Sequence, residues 1–504
     1  MKAKLLLGII GFSLMPIVSN AQLLQDASRS TSVIVRDPAR QASTEIDAVI
    51  NNPAGTAFLN DGWHISLNGL LSVGSLDLSF RDNIVNKSYR NVIPSLQVAY
   101  KKNRFTYSFS FANEGGYGEW NISKDPMLSH FLSTAGNNVF NIFKDGMSQI
   151  TSSCNKNDKL FYEVTNYGDN YNYSGRLGAS YKINDHWSVY AGVRLNYVTD
   201  HTRYAVFQGV ENNNLNVLSF NDYFTNVGEG FFETISNATL VSMVAAYLAA
   251  DAGMDVSDLI DNTDELLKLA GEVSAEIELL AQTPDYYSSS YKRMNGWGIS
   301  PVLGIDYKTG KFNFAANYEF ETKIHTNSGY SSFHIPGKLS LGASWQIQDN
   351  LKIALGGSWS YVNVSKSLGA SQSVDIDTDL ILNTQKEGNI GHSDYNTTGT
   401  DAMFDISASV SFSPIKHLIL SAGYTYAQQG GLFKSSYPIS IYSPGNNAID
   451  IISGGVCYEI SDKAKINIGI SKKYQLGNNW NLGRNWNVNN HQNLTVSAGI
   501  DFNF

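Results

Sequence analysis

Charge is scarce in this sequence. Charged residues make up 16% of its 504 positions, where a soluble domain usually carries about 25%. Asp and Glu (45) outnumber Lys and Arg (36), giving a net charge of −9. Phosphate recognition needs clustered cations, so a nucleic-acid partner is not expected. There are only 2 Cys and 11 Pro. Two cysteines cannot form a disulfide framework; Cys154 is read as lying in a loop, Cys457 in a strand, and both as incidental. Long apolar runs are missing too. Beyond the N-terminus the longest, Ala238 to Ala250, has 13 residues, and a membrane-spanning helix needs about 20. No phosphate-binding Gly-Lys motif, His-Glu-x-x-His or Gly-x-Ser-x-Gly occurs, so neither an enzyme nor a cofactor is expected. Asp375, Asp377 and Asp379 begin like a calcium loop. Leu380 then occupies the sixth place and Lys386 the twelfth, where Gly and Glu are required. No metal site is assigned.

What the chain does contain is aromatic and small. It has 28 Tyr, 24 Phe and 43 Gly, too many rings for a disordered polymer. Lys2 and Lys4 precede an apolar run from Leu5 to Leu14, and Ser19-Asn20-Ala21 follows as a small-residue cleavage site. That order predicts a secretory signal peptide over residues 1–21, with no Cys at the cleavage site to take a lipid.

From Trp63 onward the pattern has a period of two. Leu494, Val496, Ala498, Ile500, Phe502 and Phe504 alternate with Asn493, Thr495, Ser497, Gly499, Asp501 and Asn503. Strict alternation of this kind is a strand with one apolar and one polar face. It recurs at Phe404–Phe412, Leu339–Ile347 and Val189–Tyr197. About 14 such segments can be counted, the first with a phase slip near Val73 to Leu76 that suggests a bulge. Short turns, at Lys101 to Arg104, Asn184-Asp185 and Thr309-Gly310 among others, alternate with loops of about 11 to 86 residues. A soluble sandwich has no reason to sort its loops. An outer-membrane barrel does, since its strand number is even, its periplasmic turns are short and its extracellular loops are long. The expectation is therefore an all-β, 14-stranded antiparallel transmembrane barrel over 62–504, in the outer membrane of a Gram-negative cell, with both termini periplasmic. Apolar alternates would meet lipid and lipopolysaccharide; Ser, Gly, Asn and Thr would line the lumen.

Residues 22–61 do not alternate. They carry Arg29, Arg36, Asp37, Arg40 and Asp47, and end in Asn51-Asn52-Pro53-Ala54-Gly55, a fixed turn eight residues before Trp63. The segment is either a tail or a folded plug. Within the long loop 205–290, Leu259, Leu266, Ala270, Val273, Ile277 and Leu280 recur at helical spacing. This predicts a helical extracellular loop, which either packs on itself as a cap or offers a groove that captures a hydrophobic molecule.

The order of signal peptide, short N-terminal region, Asn-Asn-Pro-Ala-Gly and a 14-strand barrel ending in Phe504 resembles the FadL/TodX family of outer-membrane transporters for long-chain fatty acids and aromatic hydrocarbons. The sharp local match is Asn52-Pro53-Ala54. The resemblance implies a hatch over 22–61, held near the barrel wall by Asn52, Pro53 and Ala54. It also implies a kinked third strand with a lateral opening, here in Asn113-Glu114-Gly115-Gly116. Asn113, Gly115 and Gly116 are thus candidates, although a Gly-rich strand end entering a loop reads the same way. Ending on an aromatic in a strand resembles the signal for the barrel-assembly machinery. A monomer is expected.

One charged pair stands out. Across the turn at Asn184-Asp185, Arg176 and Arg194 should face each other in the lumen. Like charges directly opposite are destabilising, so an anion must lie beside them: a protein carboxylate such as Asp405, Glu319 or Asp47, or the carboxylate of a bound fatty acid. The reading is passive uptake of hydrophobic molecules, with long-chain fatty acids as default substrate. The alternatives are a general porin for polar solutes and a surface structural or adhesion barrel.

Overall fold

In the computed structural model the described residues are 30–80, 83–122, 126–212, 216–251, 257–290, 293–327, 333–363, 400–429, 447–475 and 486–504. The expected signal peptide and the Asp375–Asp379 segment lie outside them. Fourteen strands form one closed antiparallel sheet: β1 (Gly62–Phe80), β2 (Asn83–Lys102), β3 (Phe105–Ile122), β4 (Lys159–Lys182), β5 (Trp187–Glu211), β6 (Met294–Thr309), β7 (Phe312–Glu319), β8 (Lys338–Gln348), β9 (Leu351–Asn363), β10 (Thr400–Ile415), β11 (Leu418–Gln429), β12 (Asn447–Ser461), β13 (Ala464–Gln475) and β14 (Trp486–Asn503). Each pairs with its neighbour in sequence, and β1 closes the ring on β14 from His64↔Asn503 to Phe80↔Trp486. The register slips between Leu76 and Asp77, next to the expected bulge. After β7 the chain breaks at Phe320-Glu321 and resumes pairing at Thr322–Thr326.

Alternation decides which way each strand faces. In β6, Trp297, Ile299, Leu303 and Ile305 are exposed, while Ser300, Val302 and Asp306 are buried. In β10, Ile406, Val410 and Phe412 are exposed and Ser407 and Ser409 buried. This is inside-out relative to a soluble protein. It is what a membrane requires, because a closed ring of strands pairs every backbone group and leaves no edge in hydrocarbon. No described helix is long and apolar enough to cross a membrane.

The remaining secondary structure lies in the plug and in the loops. Before β1 come α1 (Ser32–Arg36), α2 (Ala48–Asn51) and a 3-10 turn at Pro53–Phe58. Thr31 caps α1 by accepting from the Ile34 N–H, and Pro53 starts the 3-10 turn where its missing N–H costs nothing. Nearly all of residues 30–57 are buried, inside the ring. Between strands lie α3 (Pro126–Met147), α4 (Phe220–Asp251) and α5 (Ser257–Ala281). They share an apolar cluster of Phe140, Phe220, Phe224, Phe231, Ile277 and Leu280 with Leu160 and Val206 of β4 and β5. Helix α3 has no counterpart in the sequence reading, because Gly136, Asn137 and Asn138 interrupt its apolar spacing. Cys154 and Cys457 are free and buried, in a loop and in β12.

Candidate functional site: the plug and its wall

Residues 30–61 fit a plug, and their polar groups explain how it is held. Its first half leans on β11–β14 and β1 and its second on β2–β7, so it bridges the lumen. The Ser32 hydroxyl and N–H both donate to the Asn68 Oδ1, the amide at 3.0 Å. Arg36 donates through Nε to the Asn467 Oδ1 at 3.1 Å and through Nη1 to Ser421. The Asn313 amide donates to the Ala42 carbonyl at 3.0 Å. The plug also has its own ionic centre. Arg40 is 2.6 Å from Glu45, 2.7 Å from Asp47 and 3.2 Å from Asp37. Burial opposes the charged form of Asp37, yet Arg40 and Arg36 outweigh it and hold the carboxyl below its usual range. Arg40 likewise holds Glu45 well below that range. Burial opposes the Arg40 charge as well, but Asp47 and Glu45 keep it protonated.

Asn52, Pro53 and Ala54 form the second half's contact with the wall. The Asn52 side chain donates to the Ser43 carbonyl at 3.0 Å and to Asp306 of β6. The Pro53 carbonyl accepts from Ser180 of β4 at 2.7 Å, and the Ala54 carbonyl from Ser188 of β5 at 2.7 Å. Gly55 completes the turn. A Cβ there would lie 2.2 Å from the Ser43 carbonyl oxygen, which leaves room for no other residue.

Arg176 and Arg194 are direct partners across β4 and β5, as the turn arithmetic predicts. Both are buried. Their counter-ions include Glu319, one of the three carboxylates considered from sequence. It lies 3.3 Å from Arg176, also bonds Arg194, and is 3.3 Å from Lys338. Of the other two, Asp405 bonds Ser358 and Asp47 bonds Arg40. The second counter-ion, Glu114, was not foreseen; it lies 2.9 Å from Arg176. Arg176 also donates to the Ile50 carbonyl of the plug at 2.5 Å. The cluster holds three cations against two carboxylates, and the Nε atoms of Arg176 and Arg194 are buried without a hydrogen-bond partner.

Glu114 faces inward by the same alternation as Thr106, Ser108, Ser110 and Ala112, and just beyond it β3 becomes irregular. The β2–β3 ladder is lost between Arg90↔Glu119 and Ser95↔Ala112, so four residues of β2 face six of β3. Toward β4 the register also slips, at Asn113/Gly115 and Gly115/Gly118. Gly116 has φ +92°, a conformation natural to glycine, and a Cβ there would meet the Asn170 carbonyl at 2.3 Å. Asn91 stitches the gap by donating to the Gly116 carbonyl at 3.1 Å, and its amide lies 3.0 Å from that of Asn113. Arg176 thus reaches chain neighbours of the other two sets singled out from sequence, Ile50 and Glu114, while Asn52, Pro53 and Ala54 themselves bond elsewhere on the wall. Arg176 touches the plug two residues before Asn52, it faces Arg194, and it bonds Glu114 beside Asn113 and Gly115.

No protein-family model and no curated protein sequence matches the chain. Solved structures do. The Pseudomonas putida toluene transporter TodX is similar over 96% of this chain and 100% of its own, with 16% identity and a TM-score of 0.52. A Pseudomonas aeruginosa FadL homologue is similar over 96% and 99%, with 12% identity and a TM-score of 0.52. At such identities the likeness speaks to the fold, and the chain has the barrel-and-plug fold of the TodX and FadL-type channels.

Proposed function

We propose that this protein is a passive outer-membrane transporter for hydrophobic molecules, with long-chain fatty acids as its substrate. The observation that carries the reading is the convergence at Arg176 of the plug, the bulged β3 and a buried cationic pair. A plug held over a closed barrel argues against an ungated porin. The solved structures that share the fold include a toluene transporter and a FadL homologue. The fatty-acid assignment rests on the residual positive charge of the cluster: three cations meet two carboxylates. A carboxylate arriving as the plug shifts would complete it.

The tail dictates the exit. Exposing a 16-carbon chain to water costs on the order of 12 kcal/mol, at about 0.8 kcal/mol per CH₂. Release sideways, through the β3 irregularity at Asn113, Gly115 and Gly116, avoids most of that. The Asn52-Pro53-Ala54 segment is the hinge side of the hatch, and residues 22–61 are the hatch as a whole. The test is uptake of radiolabelled palmitate, and separately of toluene, by proteoliposomes. Uptake of palmitate above protein-free vesicles supports the reading, and uptake of toluene alone moves the substrate to neutral hydrocarbons. No uptake of either overturns it. If an Arg176→Met/Arg194→Met variant that still assembles binds palmitate as well as the parent, the cluster is not the carboxylate site.

A further inference from the structure

The turn end of the barrel carries charge of the opposite sign to the rest of the chain. Lys102 and Arg104 lie at the β2–β3 turn, Lys308 and Lys311 at β6–β7, Lys416 at β10–β11, and Lys463 at β12–β13; all six are exposed. Among the described residues, Lys102, Arg104, Lys416 and Lys463 are in no salt bridge. Exposed carboxylates at this end are fewer. Asp185 is taken by Lys182 at 2.8 Å and Asp61 by Lys101 at 3.2 Å, which leaves Asp349 and Asp462. The loop end is the reverse: residues 220–281 hold twelve Asp or Glu and a single Lys, Lys268. A chain of net charge −9 thus presents a cationic ring at one end.

That ring has a fixed height. Just inside it, outward-facing aromatics pair across neighbouring strands. Trp63 meets Tyr100 at 4.8 Å, Trp187 meets Tyr307 at 4.5 Å, and Phe312 meets Trp345 at 5.5 Å between ring centroids. Aromatic girdles mark the level where hydrocarbon gives way to headgroups. Lys102 and Lys311 stand two and one residues beyond Tyr100 and Phe312, at the height of the lipid phosphates, and Lys416 and Lys463 lie in the corresponding turns of β10–β11 and β12–β13, while Lys308 leans over Phe58 of the plug. Lys and Arg stems lie along apolar surface and deliver their charge there.

We propose that this ring binds anionic glycerophospholipid headgroups, and so selects charged lipid in the leaflet that the short turns meet. Position selects the partner: Lys102, Arg104, Lys416 and Lys463 are exposed at headgroup height beside a lipid-facing girdle, where lipid phosphates lie. Attraction of a surface cation to anionic lipid corresponds to about a fivefold preference per contact at low salt, and it is screened within a Debye length.

The test uses the full chain in phosphatidylcholine vesicles, with Trp fluorescence as the readout. Brominated-chain phosphatidylglycerol and brominated-chain phosphatidylcholine are added as quenchers at equal mole fraction. The expected result is stronger quenching by the anionic lipid, a difference that shrinks as salt is raised. It should fall sharply in the variant Lys102→Gln/Arg104→Gln/Lys416→Gln/Lys463→Gln. If that variant fails to assemble, Lys416→Gln/Lys463→Gln alone should lower the selectivity. Equal quenching by both lipids in the parent protein overturns the proposal. So does selectivity that persists unchanged in an assembled variant.

Discussion

Arg176 and Arg194 face one another across a two-strand ladder, and the interior tolerates them because Glu319 serves both. Removing one partner of a buried ion pair leaves the other charge uncompensated, at about 3–5 kcal/mol. Glu319→Gln is therefore expected to lower the urea midpoint of the vesicle-embedded protein by more than Glu114→Gln, which leaves Glu319 in place. Equal losses would show that the two carboxylates act interchangeably. The facing of the two arginines could be read in the sequence because a tight turn fixes register arithmetically. Glu319 was one of three carboxylates that could serve. Glu114 was missed although alternation puts it in the lumen-facing series of β3 with Ser110 and Ala112; the ladder pairs Arg176 with Ser110, so register alone does not show that the longer side chain four residues on reaches it. The same logic hid Ser180 and Ser188. Their alternation shows that they face the lumen, but nothing local shows that the carbonyls of Pro53 and Ala54 lie there. Ser188→Ala is expected to cost about 1 kcal/mol, the net worth of one hydrogen bond.

At the scale of the element, the plug is stabilised by its own charge centre, so its seating depends on pH. Arg40 and its neighbours depress the carboxyls of Asp37 and Glu45 in the folded state. A depressed carboxyl contributes stability that is present above its unfolded value and is lost as pH falls through the lowered folded value. The plug should then remain seated where ordinary carboxylates are already half protonated, and release only in more acidic solution. Ion conductance across planar bilayers should stay low through the usual carboxylate range and rise below it. Arg40→Gln should reverse the trend: Asp37, Glu45 and Asp47 then repel at neutral pH, and acid relieves them. A pH-independent conductance in both proteins would refute the ionic account of the plug. Gly55→Val offers a second route, since its Cβ has no space against Ser43, and it should raise conductance at every pH. The sequence marked 22–61 as non-alternating and placed a turn at Asn52-Pro53, but left tail and plug open. A plug of short helical turns has no periodicity to read. Helix α3 escaped for a related reason, its signal being broken by Gly136 and two Asn. The register of a barrel strand repeats and so survives such interruptions.

For the whole molecule the deciding quantity is which face of the sheet meets hydrocarbon. Alternation and loop sorting made the barrel legible, because both are imposed by the bilayer on every hairpin alike. The outward face of β4 and β5 allows a sharp test. Tyr181 meets Phe105 at the turn-side girdle in a tilted ring contact, and Tyr173 stacks with Phe111 toward the loop side. Eight residues separate the two tyrosines, about 26 Å along the strand at about 3.3 Å per residue; at a tilt of about 35–45° that is roughly 20 Å of height, within the apolar band of an outer-membrane barrel, about 25 Å tall. Leu177 lies midway, outward and 60% exposed, opposite Val193. In a water-soluble barrel, an exposed Leu→Arg change would shift stability by less than about 0.5 kcal/mol. At a bilayer midplane it costs about 2–4 kcal/mol. Leu177→Arg is therefore expected to lower the unfolding free energy in lipid vesicles by that larger amount. Phe232→Arg, 68% exposed on α4 outside the ring, should fall within the smaller range. The comparison holds side-chain exposure nearly constant and changes only the solvent. Similar small effects at both sites would place Leu177 in water and remove the barrel from the membrane.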